Sequence, residues 1–217
     1  YNDIMHVDTN AAIYSSDVRH GGIAIRDVPE GYDWPSFIAM DEPHHAPQRK
    51  TVSPMFTPTH LDELAILIRQ RVRKVLDGLP RNETFNFVER VSIELTTQML
   101  ATLFDFPWEE RRKLTRWSDV STALPKSGVV SSPEERRREM DECRAYFEKL
   151  WNERVNAEPR NDLLSMMAHN DATRTMDGDT LMGNIVLLIV GGNDTTRNTM
   201  TGSVLALNEN PEQFDKL

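Results

Sequence analysis

Residues Ile185-Val-Leu-Leu-Ile-Val190 run without a break into Gly191-Gly192-Asn193-Asp194-Thr195-Thr196-Arg197-Asn198. Six consecutive apolar residues suit a buried helix or a buried strand, and the flanks decide between them. Asp177 and Asp179 offer N-caps, Thr180-Leu181-Met182 opens a periodic run, Leu205 and Leu207 continue it, and Asn208 with Pro211 closes it. The stretch predicts one helix of roughly 30 residues, about 45 Å long. Apolar on every side in its middle, such a helix predicts the core of a mainly α fold.

The centre of that helix is chemically odd. Two adjacent glycines inside a helix cost about 1 kcal/mol each relative to alanine, and an acid and two hydroxyls follow them. Gly191 and Thr195 are i and i+4 and share a face, with Asp194 beside them. One reading is that a large planar group approaches the backbone where Cβ atoms are missing, with Thr195 and Asp194 next to it as proton donor and proton reservoir. A threonine bonded to its i−4 carbonyl would bend the axis and help open the groove. The other reading is a tight helix crossing at Gly191-Gly192 with a polar network in mid-helix. Local physics weighs the two about equally.

The run Gly191-Gly192-Asn193-Asp194-Thr195-Thr196 resembles the oxygen-activation motif of the cytochromes P450, the haem-thiolate monooxygenases. The segment from Leu187 to Leu217 is most similar to their soluble bacterial branch that hydroxylates the terminal carbon of alkanes and fatty acids, and the likeness extends over the whole chain. The resemblance implies haem b as cofactor and a ferredoxin with its reductase as electron donors. It implies an apolar small-molecule substrate, with Thr195 hydrogen-bonding the oxygen being activated and Asp194 relaying protons. It also implies that Gly191 and Gly192 make room for dioxygen at the cofactor, and that Leu187 and Val190 pack against haem or substrate.

A second motif supports the first. Asp41-Glu42-Pro43-His44-His45-Ala46-Pro47-Gln48-Arg49 places proline in the first turn of a helix starting near His45 or Ala46, so His45 and Arg49 share a face. A histidine donor beside a guanidinium suits a carboxylate. Taken alone, His44 and His45 read more simply as a solvated helix start. The resemblance makes His45 and Arg49 the pair that binds a haem propionate. No spacing of histidines and acids matches a zinc site, so no metal ligand is expected among these residues.

The remaining sequence predicts helices over 58–79, 88–104, 108–123, 132–156 and 161–170, and an irregular loop from Asp17 to Met40 that in the family borders the substrate pocket. The arginines of 108–156 read as a solvated face, and by resemblance these two helices and their linker cover the substrate entrance. Glu109-x-x-Arg112, Glu134-x-x-Arg137 and Glu135-x-x-Arg138 imitate the family's Glu-x-x-Arg motif but precede the central helix, where the family's follows it.

The chain has 217 residues, with 39% hydrophobic and 27% charged content, as in an ordinary soluble protein. A formal net charge of −9 argues against nucleic acid as a partner. The one cysteine, Cys143, excludes a disulfide framework and fits a cytoplasmic location. It lies among acids in an amphipathic helix, which disfavours a thiolate ligand. No run is apolar enough for a membrane span. The chain begins at Tyr1, ends just after a new helix start at Pro211, and lacks the family's cysteine loop. The expectation is a single partial P450 domain over 1–217, cut at both ends and inactive by itself, with the cysteine ligand outside it. A non-catalytic, all-helical ligand-binding or regulatory module is the alternative.

Overall fold

The computed structural model describes residues 1–23, 34–124 and 126–216. Part of the predicted 17–40 loop lies outside them. All regular structure among the described residues is helical: α1 (Asn2–Asp8), α2 (His45–Val52), α3 (Pro58–Asp77), α4 (Glu94–Leu103), α5 (Arg112–Thr122), α6 (Pro133–Val155), α7 (Leu163–His169), α8 (Gly178–Glu209) and α9 (Pro211–Phe214). No described helix is long and apolar enough to cross a membrane. The chain divides into two compact units, Tyr1–Phe56 with Arg144–Leu187 and Thr57–Cys143 with Leu188–Leu217.

In the first unit the core gathers Val52, Met55, Phe147, Leu150, Leu163, Leu164, Met167, Leu181, Met182 and Ile185. Burying each large side chain contributes about 1.5–3 kcal/mol. α7 starts on Asp162, whose carboxylate caps the Ser165 N–H at 2.9 Å and pairs with buried Arg154 at 3.3 Å. α8 starts where Asp177 accepts from the Thr180 N–H at 2.7 Å, one of the two caps read from the sequence. The chain at Trp34-Pro35 lies directly on α8, because a Cβ on Gly183 would stand 2.1 Å from the Pro35 carbonyl oxygen.

In the second unit a π-helical stretch, Val88–Ile93, leads into α4, and α3 and α5 pack on α4. Leu100, Phe104, Leu114, Trp117, Val120, Met140 and Ile189 form its core. Of the arginines predicted to face solvent, Arg137 and Arg138 do so, whereas Arg111, Arg112 and Arg136 join helices. Glu94 accepts from Arg111 at 3.0 Å and Arg112 at 2.7 Å, while Arg116 reaches Glu139 on α6 and the Val129 carbonyl. Arg136 on α6 collects the carbonyls of Val120, Ser121 and Ala123, and so caps the C-terminus of α5. The reason is geometric: helix-end carbonyls need donors, and a guanidinium offers five.

α8 runs unbroken for 32 residues, as its pattern predicts. It is not core along its whole length. Leu181, Met182, Ile185, Ile189 and Asn193 are buried, whereas Val204 and Leu205 are exposed.

Candidate functional site

The features singled out on α8 divide by face. Among the described residues a Cβ on Gly191 would meet no atom within 4 Å, whereas one on Gly192 would stand 2.7 Å from Cδ2 of Leu100 on α4. Thus Gly192 is accounted for by helix packing, and Gly191 by no packing at all. The helix-crossing reading of the glycine pair therefore describes Gly192, while Gly191 faces open space. Thr195 and Thr199 continue the Gly191 face at i+4 and i+8, and all three residues are exposed.

Thr195 Oγ1 donates to the Gly191 carbonyl at 3.0 Å. Its one proton is committed along the helix, so the oxygen keeps its lone pairs for an outside donor. Leu187 and Val190 are both half-buried on the preceding turn.

The opposite face carries the polar network. Asn193, fully buried, accepts from the Thr96 hydroxyl at 2.9 Å, and Thr201 pairs with Ser92 at 2.9 Å. Arg197 donates to Asp119 on α5 at 2.8 Å and, through its other terminal nitrogen, to Asp194. Burial works against the Arg197 charge, but the Asp119 carboxylate, then that of Asp194, holds its pKa above the ordinary guanidinium value. Asp194 therefore has a fixed partner, with its side chain 34% exposed to water. Residue types gave no hint of Asp119, because its link to Arg197 spans 78 positions.

In the first unit α2 begins at His45, as its proline placement predicts. His45 Nδ1 lies 2.6 Å from the Phe37 carbonyl oxygen, which leaves Nε2 unused. Arg49, one turn on, is exposed, and its guanidinium has no hydrogen bond or ion pair among the described residues. Arg49 and, when its ring is protonated, His45 would present donors one turn apart, an arrangement that suits a carboxylate.

Behind them sits a residue that sequence reasoning passed over. Asn184 on α8 is fully buried. Its Oδ1 accepts from the Phe37 N–H at 2.8 Å, and its Nδ2 donates to Gln48 Oε1 on α2 at 3.0 Å and lies 3.1 Å from Met176 Sδ. A polar residue inside a long apolar run was the available signal.

Cys143 is buried, and burial, then the Glu142 carboxylate, pushes its thiol well above the ordinary range. That environment suits packing rather than a thiolate.

No protein-family model matches the chain. Among curated proteins it is similar to linalool 8-monooxygenase of Pseudomonas putida, 25% identical over all of this chain and 55% of the relative. It is also similar to steroid C26-monooxygenase of Mycolicibacterium smegmatis, 32% identical over 82% of this chain and 41% of the relative. The chain spans about half the length of the curated relatives it matches. Among solved structures, cytochrome P450-153 from Novosphingobium aromaticivorans superposes with a TM-score of 0.85 at 44% identity, over 99% of this chain and 54% of that one. CYP153D17 from Sphingomonas sp. PAMC 26605 gives 0.83 at 47% identity, over 100% and 55%.

Proposed function

We propose that this chain, whose fold and relatives are those of the cytochromes P450, is the oxygen- and propionate-handling part of a haem-dependent monooxygenase. The observation that carries the reading is the open face at Gly191 and Thr195, where a buried helix leaves room at a glycine beside a hydroxyl.

The residues present fit haem on two separate counts. Arg49 and, once its ring is protonated, His45 offer donors to a propionate carboxylate, and among the described residues Gly191 has no neighbour that a flat macrocycle would displace. When bound, haem with a cysteine thiolate from outside this chain supplies the activation of dioxygen. The protein's own part is positional. Thr195 presents a hydroxyl oxygen able to accept from one donor while its O–H donates to the Gly191 carbonyl. Asp194 takes protons from solvent and is held by Arg197 when it is not doing so. Leu187 and Val190 offer apolar contact to substrate.

The substrate we propose is a linear apolar chain, an n-alkane or fatty acid hydroxylated at its terminal carbon, with electrons from a ferredoxin and its reductase. The identities to the linalool and steroid enzymes, 25% and 32%, lie below the 44% and 47% to the two 153-type proteins and so speak less for a terpene or steroid substrate.

The test uses the full-length protein reconstituted with haem and a ferredoxin system. Thr195→Ala retains haem but consumes NADH with more peroxide and less alcohol, whereas equal product per NADH in variant and parent would rule out the Thr195 role. Arg49→Leu purifies with less haem, and unchanged haem content overturns the propionate assignment. Linear alkanes shift the haem spectrum and yield terminal alcohols, and turnover of linalool or a steroid instead would replace the substrate class.

A further inference from the structure

His45 Nδ1 faces the Phe37 carbonyl oxygen at 2.6 Å. A carbonyl has no proton to give, so the proton of this hydrogen bond belongs to Nδ1. In the neutral ring Nε2 then carries a lone pair, which repels a carboxylate. Only the imidazolium donates from both nitrogens.

The residue that imposes this state is itself held, through the peptide that precedes its carbonyl. Its N–H donates to Asn184 Oδ1 at 2.8 Å, and Asn184 Nδ2 donates to Gln48 on the helix that carries His45. Asn184 therefore fixes both ends of the His45–Phe37 hydrogen bond, the carbonyl and the helix.

We infer that Asn184 is a positioning residue that, through the backbone of Phe37, locks His45 in its Nδ1–H form, so that α2 takes up a carboxylate only together with a proton. The inference rests on the reading of His45 and Arg49 as the propionate-binding pair. One proton from solvent goes to Nε2, no other bond is made or broken, and the carboxylate meets two cations. Among the described residues no other charged group on the neighbouring elements replaces that proton. Asp41 is taken up by the Ser15 hydroxyl and the Ser16 N–H, His169 by the Ser165 and Ala157 carbonyls, and Asp162 by Arg154 and the Ser165 N–H. Arg49, Lys50 and His44 on or beside α2 are cationic or neutral, and Glu42 is exposed.

The experiment measures haem loss from the full-length protein to an excess of apomyoglobin at pH values across the imidazole range, about 5 to 8. The variants are His45→Gln, which keeps a neutral donor, and Asn184→Ala. Donation from the imidazolium to a carboxylate is a charge-assisted hydrogen bond, about twice as strong as a neutral one. The parent therefore loses haem about tenfold faster at the high end than at the low end, beyond any change shared by His45→Gln. In Asn184→Ala that excess pH dependence shrinks, because the released ring can adopt the Nε2–H form. Nitrogen shifts of 15N-histidine in the haem-free protein report the lock directly, with Nδ1 protonated in the parent and a mixture in Asn184→Ala.

If the parent and His45→Gln share one pH profile while the variant loses haem faster throughout, proton coupling is wrong and the propionate reading stands. If His45→Gln keeps haem as well as the parent at every pH, the propionate reading itself falls. A parent ring protonated on Nε2 overturns the role given to Asn184, and this measurement holds even should Asn184→Ala fail to fold.

Discussion

Asn184 and Asn193 lie on the same helix, both fully buried, and are served differently. Asn184 has a partner for each side-chain polar atom: the Phe37 N–H on Oδ1, and Gln48 with Met176 on Nδ2. Asn193 has one for Oδ1 alone, the Thr96 hydroxyl, and its Nδ2 is buried without a partner. Equal burial therefore conceals opposite energetics. A satisfied buried amide joins the segments it bonds, while an unmet donor forfeits about 1–3 kcal/mol of solvation. The glycines repeat the contrast, since Gly183 is pressed against backbone and Gly191 touches nothing.

The largest effect should come from Gly183→Ala. Its Cβ would stand 2.1 Å from the Pro35 carbonyl oxygen and 2.7 Å from that of Trp34, and backbone gives way less easily than a side chain. The expected loss is about 3 kcal/mol or more in urea unfolding. An unchanged midpoint would mean that the chain at 34–35 does not lie on α8.

Asn184→Ala follows, at about 2–3 kcal/mol, because it strands the Phe37 N–H and Gln48 together. Asn193→Ala should cost about 1 kcal/mol or less, since an unmet amide disappears and the Thr96 hydroxyl keeps the Ser92 and Ile93 carbonyls within reach. Equal losses for the two asparagines would erase the contrast and place an ordered water on Asn193.

The smallest change has the opposite sign. Gly191→Ala should stabilise the helix by about 0.5–1 kcal/mol, read from the same urea curves, because the added methyl meets nothing. Gly192→Ala should show little of that gain, the methyl having to displace the end of Leu100. Equal gains at both positions would remove the distinction between the two faces of α8.

Much of this was legible in the sequence. Apolar periodicity located the helices, Pro47 set the start of α2, and the Gly191–Thr196 run marked where α8 changes character. These are local signals, read within a turn or two. The joints were not legible, because Phe37 meets Asn184 across 147 positions and Arg197 meets Asp119 across 78. Nothing in an isolated asparagine or aspartate encodes such a partner. Several arginines were misjudged for the same reason: charge composition suggests solvent, but Arg111, Arg112, Arg116 and Arg136 each found an acceptor on another helix or in the following loop.

The clamp between α5 and α6 also bears on how the protein meets proteases. Lys126, Ser127 and Gly128 are exposed, and the peptide bond after Lys126 is one that trypsin accepts. A single cut there would sever the covalent path between the two helices. Arg116 on Glu139 and Arg136 on the carbonyls of Val120, Ser121 and Ala123 would keep the cut ends together. Such a nick would appear on a denaturing gel while leaving the native protein's elution volume unaltered.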